Sequence, residues 1–391
     1  MREKDDSIYL DYAATTPVDP RVAATMAALL TADGDFANPA SAHRPGRRSS
    51  EHVAKAKEQL AALLHVHPER LIWTSGATES DNLAILGAVR ARQHRGKHLI
   101  TMPTEHKAVT DVCRVLEKQG FEVTWLTPGP NGLLDIEVLE NAIRDDTQLV
   151  SIMHVNNETG VTQDIAGIGA CCRERGVLYH VDAAQSVGKL PLDLDSLPVD
   201  LLSLTAHKFY GPKGIGALFI AERPGCNIEP LMYGGGQQRG LRPGTLAVHL
   251  IAGLGHAAEI AMSALADDLR HLATLRDRLW AGIRETPGVT LNGDIVTGFP
   301  GILNVSVADI EGESLLLALE PLCVATGSAC NSQIQEPSYV LRALGRTDME
   351  AQSAIRFSLG RPTTSEDVDV AIDLYRNAVS KLRSIAPAVA A

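Results

Sequence analysis

Leu201-Leu202-Ser203-Leu204-Thr205-Ala206-His207-Lys208-Phe209-Tyr210-Gly211-Pro212-Lys213-Gly214 is the stretch from which the fold is read. An apolar run ends in small polar residues, then a histidine and a lysine, then Gly and Pro. Such a run reads as a buried strand emptying into a loop. It places Lys208 at the mouth of a sheet, where open α/β folds put their ligands. Partial burial there disfavours an ammonium, and a neutral amine can form a Schiff base with an aldehyde. Taken alone, the same residues also describe a surface lysine in a basic loop.

Val177-Leu178-Tyr179-His180-Val181-Asp182-Ala183-Ala184-Gln185-Ser186 favours the first reading. It is a second strand, ending in a carboxylate 26 positions (208 − 182) before Lys208. That spacing holds one strand, a loop and the next strand. Pyridoxal 5'-phosphate (PLP) uses this pair: a lysine for the aldehyde, and an acid that keeps the pyridine nitrogen protonated so that the ring can act as an electron sink.

The other apolar runs extend the pattern. Strands are expected at Leu71–Trp73, His98–Met102, Glu122–Leu126, Leu149–Val155, Val177–Val181, Leu201–Leu204 and Gly216–Ile220. Helical patterns at Glu79–His94, Lys107–Lys118, Asp135–Arg144 and Asp164–Arg175 separate most of them. Strands alternating with helices indicate βαβ units and an α/β domain with a seven-stranded, mostly parallel sheet. After Tyr233 the pattern changes to a Gly-rich loop, an Ala-rich helical region reaching about Arg284, and shorter mixed elements. The expectation is a large α/β domain over 15–260, and a smaller α+β domain from 1–14 and 261–391.

At 391 residues, 45% apolar and 21% charged, the chain is long enough for two domains with a large core. A net charge of −11 argues against a nucleic-acid-binding surface. No apolar run approaches the length of a membrane span, and the charged start Met1–Ser7 lacks a signal-peptide apolar region, so a cytoplasmic protein with no membrane partner is expected. Six cysteines without a CxxC pair form neither a disulfide framework nor a zinc site. His65-Val66-His67 has no further ligands nearby, and no metal is expected.

Several loops after strands carry chemistry. Trp73-Thr74-Ser75-Gly76-Ala77-Thr78-Glu79 is a strand, a glycine turn and a helix start, suited to phosphate; Thr78 and Asp81 also fit a plain capping box. Thr104-Glu105-His106-Lys107 places His106 either as a ring-stacking or proton-relay group or as a helix cap. His154-Val155-Asn156-Asn157-Glu158 offers amides to a substrate or cofactor oxygen. Arg356, in an apolar run, either clamps a carboxylate or forms a structural ion pair. Thr326-Gly327-Ser328-Ala329-Cys330-Asn331-Ser332-Gln333 is too small and polar to pack a core, so Cys330 is expected to be exposed and reactive.

Together these motifs, from Tyr9-Leu10-Asp11 to Arg356-Phe357-Ser358-Leu359-Gly360-Arg361, resemble the cysteine desulfurases of the class V aminotransferase family. Gly327-Ser328-Ala329-Cys330 with Glu336-Pro337-Ser338-Tyr339 resembles the nitrogen-fixation and iron–sulfur-cluster branch, whose cysteine loop is long. The resemblance implies a PLP-dependent transferase of fold type I, working as a homodimer with its sites at the dimer interface. It implies that Lys208 bonds the cofactor, Asp182 pairs with the pyridine nitrogen, Gln185 bonds the ring hydroxyl and His106 stacks on the ring. Ala77, Thr78, Thr205 and His207 would hold the phosphate, joined by Thr245 of the partner subunit. Asn157 and Arg356 would hold the substrate carboxylate. The implied reaction converts L-cysteine to L-alanine. Sulfur passes to Cys330 as a persulfide and then to an acceptor protein docking near the Cys330 loop, for iron–sulfur cluster assembly or another transfer pathway. Another PLP enzyme of this fold (a β-lyase, selenocysteine lyase or aminotransferase) and a non-catalytic docking subunit are the alternatives.

The chain also departs from the family pattern. Thr205 stands where serine is commoner, and Pro243 replaces a serine before Gly244-Thr245. The chain ends soon after its last helix, without the longer tail implied for housekeeping members, so a dedicated acceptor is expected.

Overall fold

The computed structural model describes residues 7–326 and 336–385. A short strand, β1 (Ile8–Tyr9), opens this part of the chain. The main sheet is built from β2 (Leu71–Thr74), β3 (His98–Thr101), β4 (Glu122–Trp125), β5 (Thr147–Ser151), β6 (Leu178–Asp182), β7 (Leu201–Thr205) and β8 (Gly216–Ile220). Its order is β2-β8-β7-β6-β5-β3-β4. Every pairing among β4, β3, β5, β6 and β7 is parallel, whereas β8 runs antiparallel to both its neighbours. All seven strands expected from the apolar runs are present. β5 lies nearer the N-terminus than expected, at 147–151, and beyond it Ile152 and His154 still donate to the His180 and Asp182 carbonyls as the chain approaches the cavity.

The reversal at β8 has a simple cause. A parallel return needs a crossover of a dozen residues or more, and the 206–215 connection carries no helix long enough to make one. The chain therefore folds straight back. The loop bearing His207 and Lys208 stays at the C-terminal end of β7, beside the C-terminal end of β6.

The helices are α1 (Pro20–Ala27), α2 (Arg44–Leu64), α3 (Ala77–Ala91), α4 (Lys107–Lys118), α5 (Ile136–Ala142), α6 (Ile165–Glu174) and α7 (Val248–Ile283), then α8 (Gly312–Ala318), α9 (Tyr339–Ala343), α10 (Asp348–Gln352) and α11 (Ser365–Ile385). The remaining strands are β9 (Val289–Leu291), β10 (Ile302–Val307), β11 (Leu322–Cys323) and β12 (Ile355–Ser358). They form an antiparallel sheet, β12-β10-β9, and a parallel pair, β1-β11. β9 and α10 are too short to show a period in the sequence.

One apolar core lies on each face of the main sheet, around Trp73, Tyr179 and Phe209 on one side and Ile72, Leu99 and Leu218 on the other. A separate core joins Ile8, Leu10, Leu303, Phe357 and Tyr375. Helix α7 serves both regions. Ile251, Leu254, Ala258 and Ala261 pack on the sheet, whereas Leu272, Leu275, Leu279 and Ile283 pack on the second core. Among the described residues the two cores thus meet along α7, its first half packing on one and its second half on the other. Contrary to the sequence expectation, α7 is long and apolar enough by length and composition to cross a membrane. In this fold 56% of its most apolar stretch is buried inside the protein, as the spine helix of two cores.

Candidate active site

Every strand of the main sheet except β8 points the same way, so the loops after β2, β5, β6 and β7 gather at one edge. They meet the β1 and β12 region across a cavity of about 870 Å³. Apart from Thr245 and Cys330, each site residue expected from the sequence lines it: Ala77, Thr78, His106, Asn157, Asp182, Gln185, Thr205, His207, Lys208 and Arg356. Thr245 is exposed and lies outside the lining of its own chain's cavity. Cys330 lies outside the described residues. Thr326 and Glu336, on either side of the undescribed 327–335, both line the cavity.

Lys208 follows β7 in a single 3-10 turn, Ala206–Lys208. Its Nζ donates to the carbonyl oxygens of Ala13 and, at 2.8 Å, Ala14, reached from the far end of the chain. Burial, followed by the Arg356 charge, lowers its pKa to about 8. A free lysine is almost wholly charged at neutral pH, but this one has an appreciable neutral fraction. The surface-lysine reading of the sequence is excluded. Burial likewise lowers the neighbouring His207 to about 4, helped by Lys208, Lys213 and Lys189. His207 is therefore a neutral ring, with Nδ1 3.1 Å from Thr15 Oγ1.

Asp182 ends β6 with only 4% of its surface exposed. Its Oδ1 accepts from the Ala184 N–H at 2.9 Å. Burial pushes its carboxyl up, and His106, the Ala184 N–H and Lys208 oppose this. A cation brought to this carboxylate from the cavity would favour the ionised form further. His106 is both a cap and a cavity residue: its Nδ1 accepts the Ala108 N–H at 3.1 Å, at the start of α4. Accepting there leaves the ring proton on Nε2.

The expected Thr78/Asp81 capping box does not form. Helix α3 begins at Ala77, with Gly76 as its N-cap (φ 153°) and no side chain accepting from its first N–H groups. Glu79 reaches back to the Ser75 N–H at 2.7 Å and is held by Arg242. The first-turn N–H groups thus point out unsatisfied, beside the Ser75, Thr78 and Thr205 hydroxyls, which suits an anion. Asp81 instead turns inward and is fully buried between α3 and the sheet, with Oδ1 3.5 Å from His180 Nε2.

Arg356 resolves the two sequence readings by combining them. It is buried and ion-paired with Asp11 at 2.6 Å, yet it lines the cavity. Asn157 Oδ1 beside it is buried without a hydrogen-bond partner among the described residues. An orphaned amide next to a guanidinium is a pairing that a ligand carboxylate with an amine would complete.

Sequence reasoning missed Asp11, the Ala13 and Ala14 carbonyls, Glu158 and Lys189. Glu158 is 3% exposed, and its Oε2 accepts from Ser338 Oγ at 2.5 Å. Burial raises it to about 7, against the Ser338 hydrogen bond and Arg356. The Asn-Asn-Glu turn could have signalled Glu158. Nothing local marks the others. Burial pushes the Cys113 and Cys226 thiols up to about 12.

These residues fit PLP. A depressed amine, a buried acid, an uncapped helix N-terminus and an amide–guanidinium pair face one cavity of adequate size. Lys208 would bond the aldehyde, Asp182 would face the pyridine nitrogen, and the α3 turn would take the phosphate.

The comparisons agree with this geometry. The family model for aminotransferase class-V matches residues 8–370. The chain is 58% identical over 381 residues to a protein named cysteine desulfurase IscS in Enterobacter sp. strain 638, covering 97% of this chain and 94% of that one. It is equally identical to the protein of that name in Salmonella typhi. A solved structure titled NifS-like protein superposes with a TM-score of 0.89 at 37% identity, covering 96% of this chain and all of the other. DndA from Streptomyces lividans matches with a TM-score of 0.78 at 44% identity, over 90% and 99% of the two chains. A structure of SspA in complex with cysteine gives 0.81 at 37% identity, over 91% and 99%. The chain belongs to the class-V aminotransferase family and, within it, to the PLP-dependent cysteine desulfurases.

Proposed function

We propose that the chain desulfurates free L-cysteine to L-alanine and passes the sulfur to Cys330 as a persulfide. The observation that carries the reading is Lys208, depressed to about 8 and facing the same cavity as buried Asp182. The reading is supported by the desulfurase relatives and by the cysteine-bound structural neighbour.

PLP bound here supplies an aldehyde that bonds an amine and a ring that withdraws electrons from the substrate. The protein's own groups do the rest. Asp182 would face the pyridine nitrogen, Gln185 the ring hydroxyl and His106 the ring. Ala77, Thr78, Thr205, His207 and Thr245 of the partner subunit would hold the phosphate. Arg356 and Asn157 hold the substrate carboxylate. Lys208, as neutral amine, takes the Cα proton and returns it. The Cys330 thiolate attacks the substrate sulfur. An S–S bond forms as the Cβ–S bond breaks, Cβ keeps the electron pair, and a proton from the thiols ends on Cβ. L-Cysteine and one thiol thus give alanine and one persulfide, with no outside oxidant.

Working as a homodimer is supported by exposed Met232 and Tyr233 and the exposed Thr245, which stands outside its own cavity. A sulfur acceptor docking near the 327–335 segment would take the persulfide, for iron–sulfur cluster assembly or another transfer pathway in the cytoplasm. The test measures alanine and sulfide from L-cysteine in the presence of a dithiol, which reduces the persulfide and frees its outer sulfur as sulfide, with the absorbance spectrum, for wild type and Cys330→Ser. Equal alanine and sulfide, with a retained visible band and no turnover in the variant, is the expected result. A variant as active as wild type overturns the persulfide step.

A further inference from the structure

Lys189 is a half-buried amine with no acid beside it among the described residues. It follows β6 by one turn, its Nζ lies 5.6 Å from the centre of the Phe299 ring, and it makes no ion pair among the described residues. Burial, followed by the charges of Lys208 and Arg356, lowers it to about 7. A surface location would avoid that cost, so the position of this amine calls for a physical reason.

The hydrogen bonds supply one. Lys189 Nζ donates to Gln185 Oε1 at 3.0 Å. Gln185 Nε2 donates to the Ala13 carbonyl at 2.8 Å. The same carbonyl accepts from Lys208 Nζ. The chain of contacts therefore runs unbroken from Lys189 through Gln185 and Ala13 to the reactive lysine. It also settles which way the amide faces. An ammonium or amine N–H meets only an oxygen here, and a carbonyl meets only an N–H, so the flipped amide would lose both bonds. Nε2 carries two hydrogens, and Ala13 uses one. Gln185 lines the cavity, which leaves its second N–H as the donor available there.

We propose that Lys189 is a positioning residue for the cofactor: by fixing Gln185 Oε1 it makes the amide present N–H, not C=O, to the ring hydroxyl. The inference rests on Gln185 being the contact to that hydroxyl. An N–H there favours the negatively charged oxygen, whereas a carbonyl would repel it. Without Lys189 the amide is held at its Nε2 end alone, by the Ala13 carbonyl, and its orientation is less firmly fixed.

The test uses the purified full-length protein, with PLP as the probe, added to cofactor-free enzyme. Two quantities are read: the dissociation constant of PLP, and the pH midpoint of the visible absorbance band. Lys189→Met keeps the bulk of the side chain and removes the donor. It weakens PLP roughly tenfold, the size of one charge-assisted hydrogen bond. It also moves the midpoint up by about one pH unit, because the unsupported oxygen holds its proton more tightly. Gln185→Ala gives the same two changes, and adding Lys189→Met to it gives no further change. A merely structural role would instead give losses that add. Gln185→Glu keeps a partner for Lys189 but offers no donor, and it too raises the midpoint. The proposal is overturned if Lys189→Met leaves both quantities at wild-type values, if its effect persists undiminished in the Gln185→Ala background, or if Gln185→Glu leaves the midpoint where it was. Wild-type protein that binds no PLP would instead overturn the assignment of the cofactor, a separate failure.

Discussion

Arg356 Nη2 lies 2.6 Å from Asp11 Oδ1, a contact made across 345 positions of chain. Its Nη1 donates to the Asn157 carbonyl at 2.8 Å, so the guanidinium is held from two sides at the cavity wall. Asp11→Asn keeps the shape and removes the countercharge. We expect KM for L-cysteine to rise roughly tenfold with kcat held within about twofold, the pattern of lost ground-state binding. Steady-state kinetics decide it, and a fall in KM would show instead that Asp11 competes with the substrate for the arginine.

Lys208 makes the cofactor-free protein sensitive to alkaline pH in a particular direction. Its pKa is about 8 when folded and near 10.5 when unfolded, so between those values the unfolded chain binds more protons. Stability attributable to this group therefore rises with pH across that window. At neutral pH the charged amine costs at most ~3 kcal/mol. Cofactor-free Lys208→Met is expected to melt higher than wild type at pH 7 and to lose this advantage by pH 10.5. A constant difference across the range would show that burial is not the cause.

Glu158 behaves in the opposite sense. Its folded pKa of about 7 exceeds the ordinary 4.5, so the native state binds the extra proton between those values. The stabilisation is complete below pH 4.5 and is lost as pH rises through 7. Glu158→Gln imitates the protonated acid and keeps an acceptor for Ser338. Relative to wild type it should gain up to ~3 kcal/mol at pH 8 and little at pH 5. Equal melting temperatures at both pH values would refute the shift.

Gly216 lets β8 approach the phosphate turn. A Cβ there would stand 2.3 Å from the Leu204 carbonyl oxygen and 2.8 Å from Gly76 Cα, both backbone atoms that cannot swing aside. Gly216→Ala should therefore destabilise the fold by roughly 1–3 kcal/mol and loosen PLP through displacement of Gly76. At Gly76 a Cβ would meet only Thr205 Oγ1, at 3.7 Å, so Gly76→Ala should act mainly through its φ of 153°. Thermal melts with and without PLP separate the two cases.

Much of this was legible beforehand, for local reasons. The seven strands announce themselves as short apolar runs closed by turn residues, and Asp182 and Lys208 stand where such runs end. The misreadings are equally physical. Thr78 and Asp81 have capping-box spacing, but Gly76 starts the helix earlier and Asp81 turns into the core. α7 stays below the notice of a simple scan for apolar runs because charged residues interrupt it, yet its buried face is long enough to unite two cores.

The sequence by itself determined the alternation of strands and helices, the edge of the sheet that carries the chemistry, and the types of residue present there. Each follows from periodicity or from a neighbour a few positions away. Only the tertiary structure decided that Ala13 and Ala14 grip Lys208, that Asp11 pairs with Arg356, and that Gln185 bonds the Ala13 carbonyl. These contacts join segments far apart in the chain, several through backbone oxygens that every residue possesses. Burial, which shifts Lys208 and Glu158 towards neutral pH, exists only once those segments have closed around the cavity.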